Sequence, residues 1–435
     1  MFLALGEVLF GSPFYGVWVS DNLMLVAFCL MLFAWVRPGW AVLAAAVFAL
    51  AICPGMYWTD SYWGGAVAAS GGALVLLGVG LSLKRQTPIA GATLALGMLL
   101  LFWSRPYEGG VLTLAMLVVF ARELWRGRRV AMFATAFVLL AAGAAWTAYD
   151  NRAVTGNPLL LPYMLHDRQY EFVPVLWFLP LRTPHTFEDP RLAAEHGVNG
   201  WEASMYHKSR ALWKNPLAGL LWTAVQTLGL PVLTLGVLTL VVPLAWRDPL
   251  FVRIALVAGV VLLALACETY RSGHYAAPLW APLALMVGLW SEHARDFCVR
   301  KPVEGTAVLL LVAASLLPLG DEVASHFSPF QSNGSGVPSP APWFDRRAAL
   351  IRRLSNLDRP QLVIVQYPSP DWRILQEWVY NGIDIDQQRV VFAHDLGADE
   401  DRALLAYYPN RSAVLLTFDP VSGQEKTEPY RAVTR

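Results

Sequence analysis

The chain has 435 residues, of which 56% are hydrophobic and only 15% are charged. A soluble fold of this size needs far more polar surface, so soluble enzymes and soluble binding domains are excluded. The 33 basic and 32 acidic residues give a net charge of +1, which offers no basic surface for nucleic acid. Apolar runs recur up to about residue 320, and a bilayer requires about 20 such residues per helix. The composition therefore predicts a polytopic α-helical membrane protein.

Ten apolar runs predict ten membrane-spanning helices. They cover residues 15 to 36, 40 to 57, 64 to 83, 88 to 104, 109 to 121, 130 to 149, 216 to 246, 254 to 267, 276 to 290 and 305 to 319. Residues 1 to 14 are apolar but too short to span, so they predict a helix on the outer membrane surface. The run from 216 to 246 would be about 46 Å long as a straight helix, so it predicts a tilted span, a kink near Pro231 or an interfacial start, of which the last two are favoured.

The basic residues of the short loops predict the orientation of the spans, because cytoplasmic loops are enriched in Lys and Arg. Alternate loops hold 12 basic residues, whereas the intervening short loops hold only Arg105 and Arg271. The basic loops, predicted to face the cytoplasm, contain Arg37, Lys84, Arg85, Arg122, Arg126, Arg128, Arg129, Arg247, Arg253, Arg295, Arg300 and Lys301. The N terminus, the loop 150 to 215 and the tail are therefore predicted to lie outside.

The chain divides into membrane and tail regions. Six spans over 15 to 149 and four over 216 to 319 flank the long outer loop, and a linker rich in Gly, Ser and Pro occupies 320 to 342. In the tail from 343 to 435, strand patterns at 361 to 367, 389 to 394 and 412 to 418 alternate with helical patterns at 371 to 380 and 399 to 408. This alternation predicts a small α/β domain outside the membrane.

No metal site is predicted. The cysteines, Cys29, Cys53, Cys267 and Cys298, are widely spaced without a CxxC pair, which is typical of inert core thiols. His166 and Asp167 are adjacent and lack a spaced third ligand. Asp384 and Asp386 lack the glycine and glutamate of a calcium loop, so solvated turn carboxylates are the simpler interpretation.

The two outer arginines, Arg105 and Arg271, break the charge bias, and each lies in a polar, aromatic segment. Arg105 belongs to SRPYEG (104 to 109), where it could pair with Glu108 or face an anion. Arg271 belongs to ETYRSGHYAAP (268 to 278). If this segment is helical, Glu268, Arg271, His274 and Tyr275 share one face, which suits a lipid phosphate or forms a salt-bridged helix cap.

A third outer segment, MYWTDSYWGG (56 to 65), contains Asp60 just before a predicted helix. Asp60 could cap that helix, or Asp60 and Glu108 could each act as a general base on a bound hydroxyl group. Tyr62, Trp63 and Tyr107 are the aromatic residues that could stack on a sugar ring.

Together these motifs resemble the GT-C membrane glycosyltransferases, in particular the RgtA/B/C/D-like group related to protein mannosyltransferases and aminoarabinose transferases. The resemblance rests on FLALGEVLFGSPFYGVW (2 to 18), SYWGGAVAASGGALVLLG (61 to 78), SRPYEG (104 to 109), HYAAP (274 to 278) and EWVYNGIDIDQQRVVFAHDL (377 to 396). It implies inverting transfer of a sugar from a polyprenyl-phosphate donor to a lipid, glycan or protein acceptor, at the outer face of a bacterial cytoplasmic membrane.

The resemblance also implies roles for individual residues. Arg271 and His274 would bind the donor phosphate, Arg105 would assist, and a divalent cation would be compatible with the reaction. In this family the acidic residue that acts as base lies in a first outer loop, between a first span and a surface helix. This chain begins at the surface helix, so we expect a missing first span and loop, a misassigned start, or a degenerate member in which Asp60 or Glu108 substitutes.

Two other functions fit the composition. A non-catalytic membrane scaffold would present the outer α/β domain to a partner. A transporter or lipid flippase would need inverted repeats and ionisable residues near the bilayer midplane, whereas Asp21 is the main charge inside a predicted span.

Overall fold

The computed structural model describes residues 2–52, 61–127, 130–187, 190–326, 343–368, 377–382, 384–419 and 422–430. The chain forms two compact units. The first contains Met1–Gln169, Pro174–Leu181 and Met205–Pro329, and the second contains Tyr170–Val173, Arg182–Ser204 and Phe330–Arg435.

Helices dominate the described chain, and the strands lie near its C-terminal end. The α-helices are α1 Phe2–Phe10, α2 Phe14–Trp35, α3 Pro38–Ile52, α4 Gly65–Lys84, α5 Pro88–Ser104, α6 Pro106–Val119, α7 Ala121–Gly127, α8 Val130–Thr155, α9 Pro162–Tyr170, α10 Pro190–His196, α11 Trp201–Leu212, α12 Pro216–Val241, α13 Pro249–Ala266, α14 Trp280–Arg300, α15 Pro302–His326, α16 Trp343–Ser355 and α17 Ala398–Tyr407. A 3-10 helix, Gly273–Leu279, precedes α14. The strands are β1 Gln361–Gln366, β2 Val390–His394, β3 Ser412–Asp419 and β4 Gln424–Pro429.

Within the described residues, four helices are long and apolar enough to cross a membrane, fewer than the ten spans predicted. They are α2, α4, α8 and α13. Each of the ten predicted runs contains a helix, and within the described residues five apolar helical stretches cover 10–17 residues. At 1.5 Å per residue, 17 residues rise about 26 Å, less than the hydrocarbon core of about 30 Å. Helices α5 and α6 each begin at a proline, and Pro106 separates the two.

Two local predictions can be compared directly with the backbone. Helix α1 covers Phe2–Phe10, in the segment predicted as a surface helix, and Val8 and Leu9 are exposed. Helix α12 contains a kink at Gly229, whose φ of 70° and ψ of 162° are not helical. This position is two residues before Pro231, so the predicted kink is confirmed.

Small residues let α4 pack closely in the centre of the first unit. A Cβ atom added at Gly78 would lie 2.7 Å from the backbone of Leu94 in α5, and one at Gly72 would lie 2.8 Å from the carbonyl oxygen of Pro278. Glycine is therefore required at both positions for these elements to contact each other. Close approach of backbones through small residues is the usual way in which membrane helices associate.

The second unit contains a four-stranded sheet with the order β2-β1-β3-β4. Strand β1 pairs in parallel with β2 and β3, and β4 is antiparallel to β3. The three predicted strands and the predicted helix at 399 to 408, here α17, are therefore confirmed. The polar edge strand β4, QEKTEP, lacks the apolar alternation that predicts a strand and was missed.

The predicted helix at 371 to 380 is wrong for its last four residues, which are not helical, and 371–376 lie outside the described residues. The buried guanidinium of Arg347 donates hydrogen bonds to the carbonyls of Trp378 at 3.0 Å and Tyr380 at 2.6 Å. The hydroxyl of Tyr367 accepts a hydrogen bond from the Trp378 backbone N–H. These tertiary contacts use the backbone groups that a helix would have paired internally.

Candidate functional site

Most of the predicted site residues lie in three segments of the first unit. Arg105, Tyr107 and Glu108 lie where α5 meets α6, and Tyr62 and Trp63 directly precede α4. The third segment, from Glu268 to Tyr275, joins α13 to α14 and contains Glu268, Arg271, His274 and Tyr275. Asp60 lies outside the described residues, so neither its capping nor its catalytic interpretation is tested.

The junction of α5 and α6 follows from Pro106. Proline fixes φ and suits the first position of a helix, so α5 ends at Ser104 and a new helix begins at Pro106. Arg105, between them, has a non-helical backbone with φ −141° and ψ 75°. Glu108 lies in the first turn of α6, where the helix dipole favours a negative charge, and it is buried.

The segment after α13 is not the single helix that would place Glu268 and Tyr275 on one face, because helical structure begins only at Gly273. Part of the long loop binds this segment instead. Glu268 and Leu176 form an isolated antiparallel bridge, and the N–H of Thr269 donates to the carbonyl of Val175 at 2.7 Å. The hydroxyl of Thr269 donates to Pro174 at 2.6 Å. The loop therefore fixes the backbone on both sides of Glu268.

Helix α11 positions Arg271. The Ser209 hydroxyl donates to the carbonyl of Thr269 at 2.8 Å and accepts a hydrogen bond from Nη1 of Arg271, also at 2.8 Å. Ser209 is 1% exposed, so this linkage is inside the protein. Sequence reasoning missed Ser209, Thr269 and the strand-like segment at 174–177, because no residue pattern shows which part of a 66-residue loop folds back onto another loop.

The three segments meet around His274 and Tyr275. The guanidinium carbon of Arg105 lies 4.2 Å from the centre of the Tyr275 ring, a cation–π contact. The His274 ring contacts two other rings, with 5.0 Å between its centre and that of Trp63 and 4.7 Å between its centre and that of Tyr275. We name Arg105, Glu108, Glu268, Arg271, His274 and Tyr275 the arginine–carboxylate cluster.

The hydroxyl of Tyr107 binds the backbone of α13. That hydroxyl donates to the carbonyl of Ala264, near the end of α13, at 3.2 Å. This contact ties the start of α6 to the helix that leads into Glu268. Tyr107 therefore has a structural contact, and its predicted sugar stacking stays a prediction.

Glu268 is the most unusual member of the cluster. It is 2% exposed, and neither carboxylate oxygen has a hydrogen-bond partner among the described residues. Burial, reinforced by the nearby carboxylate of Glu108, raises the pKa of Glu268 well above its ordinary value, although Arg105 and Arg271 oppose the rise. Glu268 is thus a buried carboxyl group with an increased affinity for a proton.

His274 carries no charge near neutral pH. Burial, with a smaller effect from the neighbouring cation of Arg105, lowers the pKa of His274 to about 3. The imidazole can therefore contribute an N–H hydrogen bond to an anion but no electrostatic attraction. Of the two groups predicted to bind a phosphate, Arg271 supplies the positive charge.

The simple structural interpretation of the two arginines was pairing with their neighbouring carboxylates. Among the described residues, no ion pair within 4.0 Å joins Arg105 or Arg271 to Glu108 or Glu268. Nε and Nη2 of Arg271 are buried and make no hydrogen bond to the described chain. The cluster therefore retains donors and acceptors that a bound anionic or hydroxyl-bearing ligand could use.

The described residues contain no group of three or more His, Cys, Asp or Glu side chains that could hold a metal ion.

No family model, curated protein or solved structure matches the chain. The resemblance to GT-C glycosyltransferases therefore stays a prediction from the motifs.

Proposed function

We propose that this chain is a membrane glycosyltransferase that transfers a sugar from a polyprenyl-phosphate donor to a hydroxyl group of a lipid, glycan or protein acceptor. The supporting observation is that Arg105 and Arg271 both lie near the buried carboxyl groups of Glu108 and Glu268. The two arginines are 166 positions apart in the sequence. Isolated buried charges are costly, and such groupings occur preferentially at functional sites.

In the proposed reaction, Arg271 and Arg105 bind the phosphate of the donor. The acceptor oxygen attacks the anomeric carbon and loses its proton to a carboxylate. The bond between the anomeric carbon and the phosphate oxygen breaks, and its electron pair remains on the phosphate. The arginines stabilise this growing negative charge, which is where fixed cations are most effective in catalysis. Attack opposite the leaving group inverts the anomeric configuration.

Glu268 is the described carboxyl group best suited to accept the acceptor's proton. A general base works best when its pKa lies near the working pH, and burial raises the pKa of Glu268 in that direction. Glu108 lies beside it, and Asp60 remains a further candidate outside the described residues. Trp63, which contacts His274, is an aromatic residue beside the cluster that could stack on the sugar.

The proposal requires the cluster to face the outside of a bacterial cytoplasmic membrane. We expect a cysteine at Leu159 to react with a membrane-impermeant maleimide in intact cells, in a variant lacking the native cysteines. Leu159 is 86% exposed and belongs to the loop 150 to 215. A cysteine at Arg300 should react only after the membrane is permeabilised. The reverse labelling pattern would overturn the orientation and with it the proposed outer site.

The phosphate contact can be measured without knowing the sugar. We expect the purified full-length chain to bind undecaprenyl phosphate more tightly than undecaprenol, and Arg271→Gln to remove most of this preference. A charge-assisted hydrogen bond contributes about 1.5–3 kcal/mol, so the loss should be roughly 10- to 100-fold in affinity. Thermophoresis of both ligands with both proteins provides the comparison.

Arg210→Gln is the matched control. Arg210 lies one residue from Ser209 and donates a hydrogen bond to Tyr206, but it is not in the cluster. It should keep the preference for undecaprenyl phosphate. Equal binding of the phosphate and the alcohol by the unaltered chain would refute the phosphate site. A third outcome is that the chain binds undecaprenyl phosphate but releases it from none of the undecaprenyl-phosphate sugars tested. That outcome would favour a non-catalytic lipid-binding scaffold.

A further inference from the structure

A separate cavity of about 670 Å³ lies at the other end of the membrane helices. Its lining includes Lys84 and Arg85, at the end of α4, and Arg253, in the first turns of α13. Trp63, whose ring contacts His274 of the arginine–carboxylate cluster, lies two residues before the start of α4. The 20 residues of that helix rise about 30 Å, which equals the thickness of a hydrocarbon core. The cavity and the cluster therefore lie at opposite ends of α4.

The cavity carries excess positive charge. Of its three cations, Arg253 forms an ion pair with Glu123 at 2.9 Å. Lys84 and Arg85 are exposed and have no ion pair to a described residue. Two positive charges are thus available to a ligand that enters the cavity. Anions with several oxygen acceptors, such as phosphate esters, match this arrangement.

The inner wall is aromatic and rigid. Trp35 and Phe120 line the cavity, their ring centres are 5.5 Å apart, and the indole N–H of Trp35 donates to the carbonyl of Leu76 at 3.0 Å. A Cβ atom at Gly80 would lie 2.6 Å from the Trp35 ring, so glycine at this position allows the ring to lie against α4. The cavity therefore combines a fixed apolar wall with a cationic rim.

Exposed apolar side chains lead away from the rim along two membrane helices. On α2, Leu30 is 51% exposed and lies one turn before the lining residue Ala34. On α13, Leu256 is 57% exposed and lies three residues after Arg253. Such faces suit acyl chains, whereas a free inorganic anion would make no use of them.

From this combination we infer that the cavity binds the phosphate headgroup of one anionic phospholipid, whose acyl chains lie along the exposed faces of α2 and α13. The rim cations that would hold the headgroup belong to loops predicted to face the cytoplasm. Basic pockets between membrane helices on that side are a known setting for anionic headgroups. This inference does not depend on the proposed glycosyltransferase activity.

The test compares phosphatidylglycerol with phosphatidylcholine of identical acyl chains, titrated into the delipidated full-length chain and followed by native mass spectrometry. We expect the first phosphatidylglycerol molecule to bind at least ~10-fold more tightly than phosphatidylcholine. Lys84→Gln combined with Arg85→Gln should lower its affinity about 10- to 30-fold and leave phosphatidylcholine unchanged. Both side chains are exposed, so the double variant should fold normally.

Arg300→Gln combined with Lys301→Gln is the control, since it removes two exposed cations from the end of α14, outside the cavity. It should not change the affinity for phosphatidylglycerol. Equal affinities for the two lipids, or an equal loss in both double variants, would overturn the inference. Complete displacement of phosphatidylglycerol by millimolar inorganic phosphate would also overturn it, because the cavity would then be a site for the free anion.

Discussion

Glu268→Gln should abolish sugar transfer while leaving the folded protein as stable as before, or more stable. Removing a general base lowers a rate by about 10²- to 10⁴-fold. Stability should not fall, because the two carboxylate oxygens make no hydrogen bond to the described chain and the buried charge is itself unfavourable. Release of undecaprenyl phosphate measures the first effect, and the thermal midpoint in detergent measures the second.

The stability difference should depend on pH in a defined direction. The folded-state pKa of Glu268 is raised above its ordinary value of 4.5, so the folded state binds the proton more tightly than the unfolded state. The contribution of Glu268 to stability is fully present below that ordinary value and is lost as pH rises through the raised pKa. As pH rises from 4 to 8, the thermal midpoint of Glu268→Gln should therefore increase relative to that of the unaltered chain.

Glu304→Gln serves as the control, because Glu304 is an exposed residue whose ion pair among the described residues is with Lys301, at 3.8 Å. Neither its transfer rate nor its thermal midpoint should change appreciably. Normal transfer by Glu268→Gln would exclude Glu268 as the base and return the choice to Asp60 or Glu108. A lower thermal midpoint at pH 8 would instead identify Glu268 as a structural residue.

Gly78→Ala should destabilise the first unit, whereas Gly110→Ala should not. The added methyl group at position 78 would lie 2.7 Å from three atoms of Leu94, two of them in the backbone, so α4 and α5 must separate. Overpacking of this kind costs about 1–3 kcal/mol. At Gly110 the same methyl group meets nothing within 4 Å, and alanine is the better helix former.

The two alanine variants make the same chemical change in neighbouring helices, so their comparison isolates the interhelical contact. The comparison uses the thermal midpoints of both variants and of the unaltered chain, measured in the same detergent. Gly78→Ala should unfold at the lower temperature, and Gly110→Ala should match or slightly exceed the unaltered chain. Equal midpoints for all three proteins would mean that the contact between α4 and α5 is looser than the structure indicates.

The sequence predicts local structure in this protein well where one physical signal dominates. Apolar runs locate the helices, the kink near Pro231 occurs at Gly229, and β-branched runs locate β1, β2 and β3. It predicts less well which helices are long enough to span a membrane. Hydropathy alone does not show that α5 ends at Ser104, where Pro106 begins a new helix.

The sequence also identified Arg105 and Arg271 as exceptions to a charge bias, an observation that needs no structure. It proposed the wrong geometry for residues 268 to 275, because helical periodicity was applied to a segment that pairs with Leu176 and Val175 instead. A local residue pattern cannot show that a backbone partner far away in the sequence will take the hydrogen bonds that a helix would have formed.

The sequence by itself thus determined that this chain is an α-helical membrane protein and that its polar, aromatic segments lie at the ends of apolar runs, since hydropathy and charge are properties of the residues alone. Only the tertiary structure decided that Glu268 is buried near Glu108 and that the ring of His274 contacts those of Trp63 and Tyr275. Burial and proximity depend on which segments meet, and here they join residues more than 150 positions apart. The chemistry of the candidate site follows from these contacts between segments that are distant in the sequence.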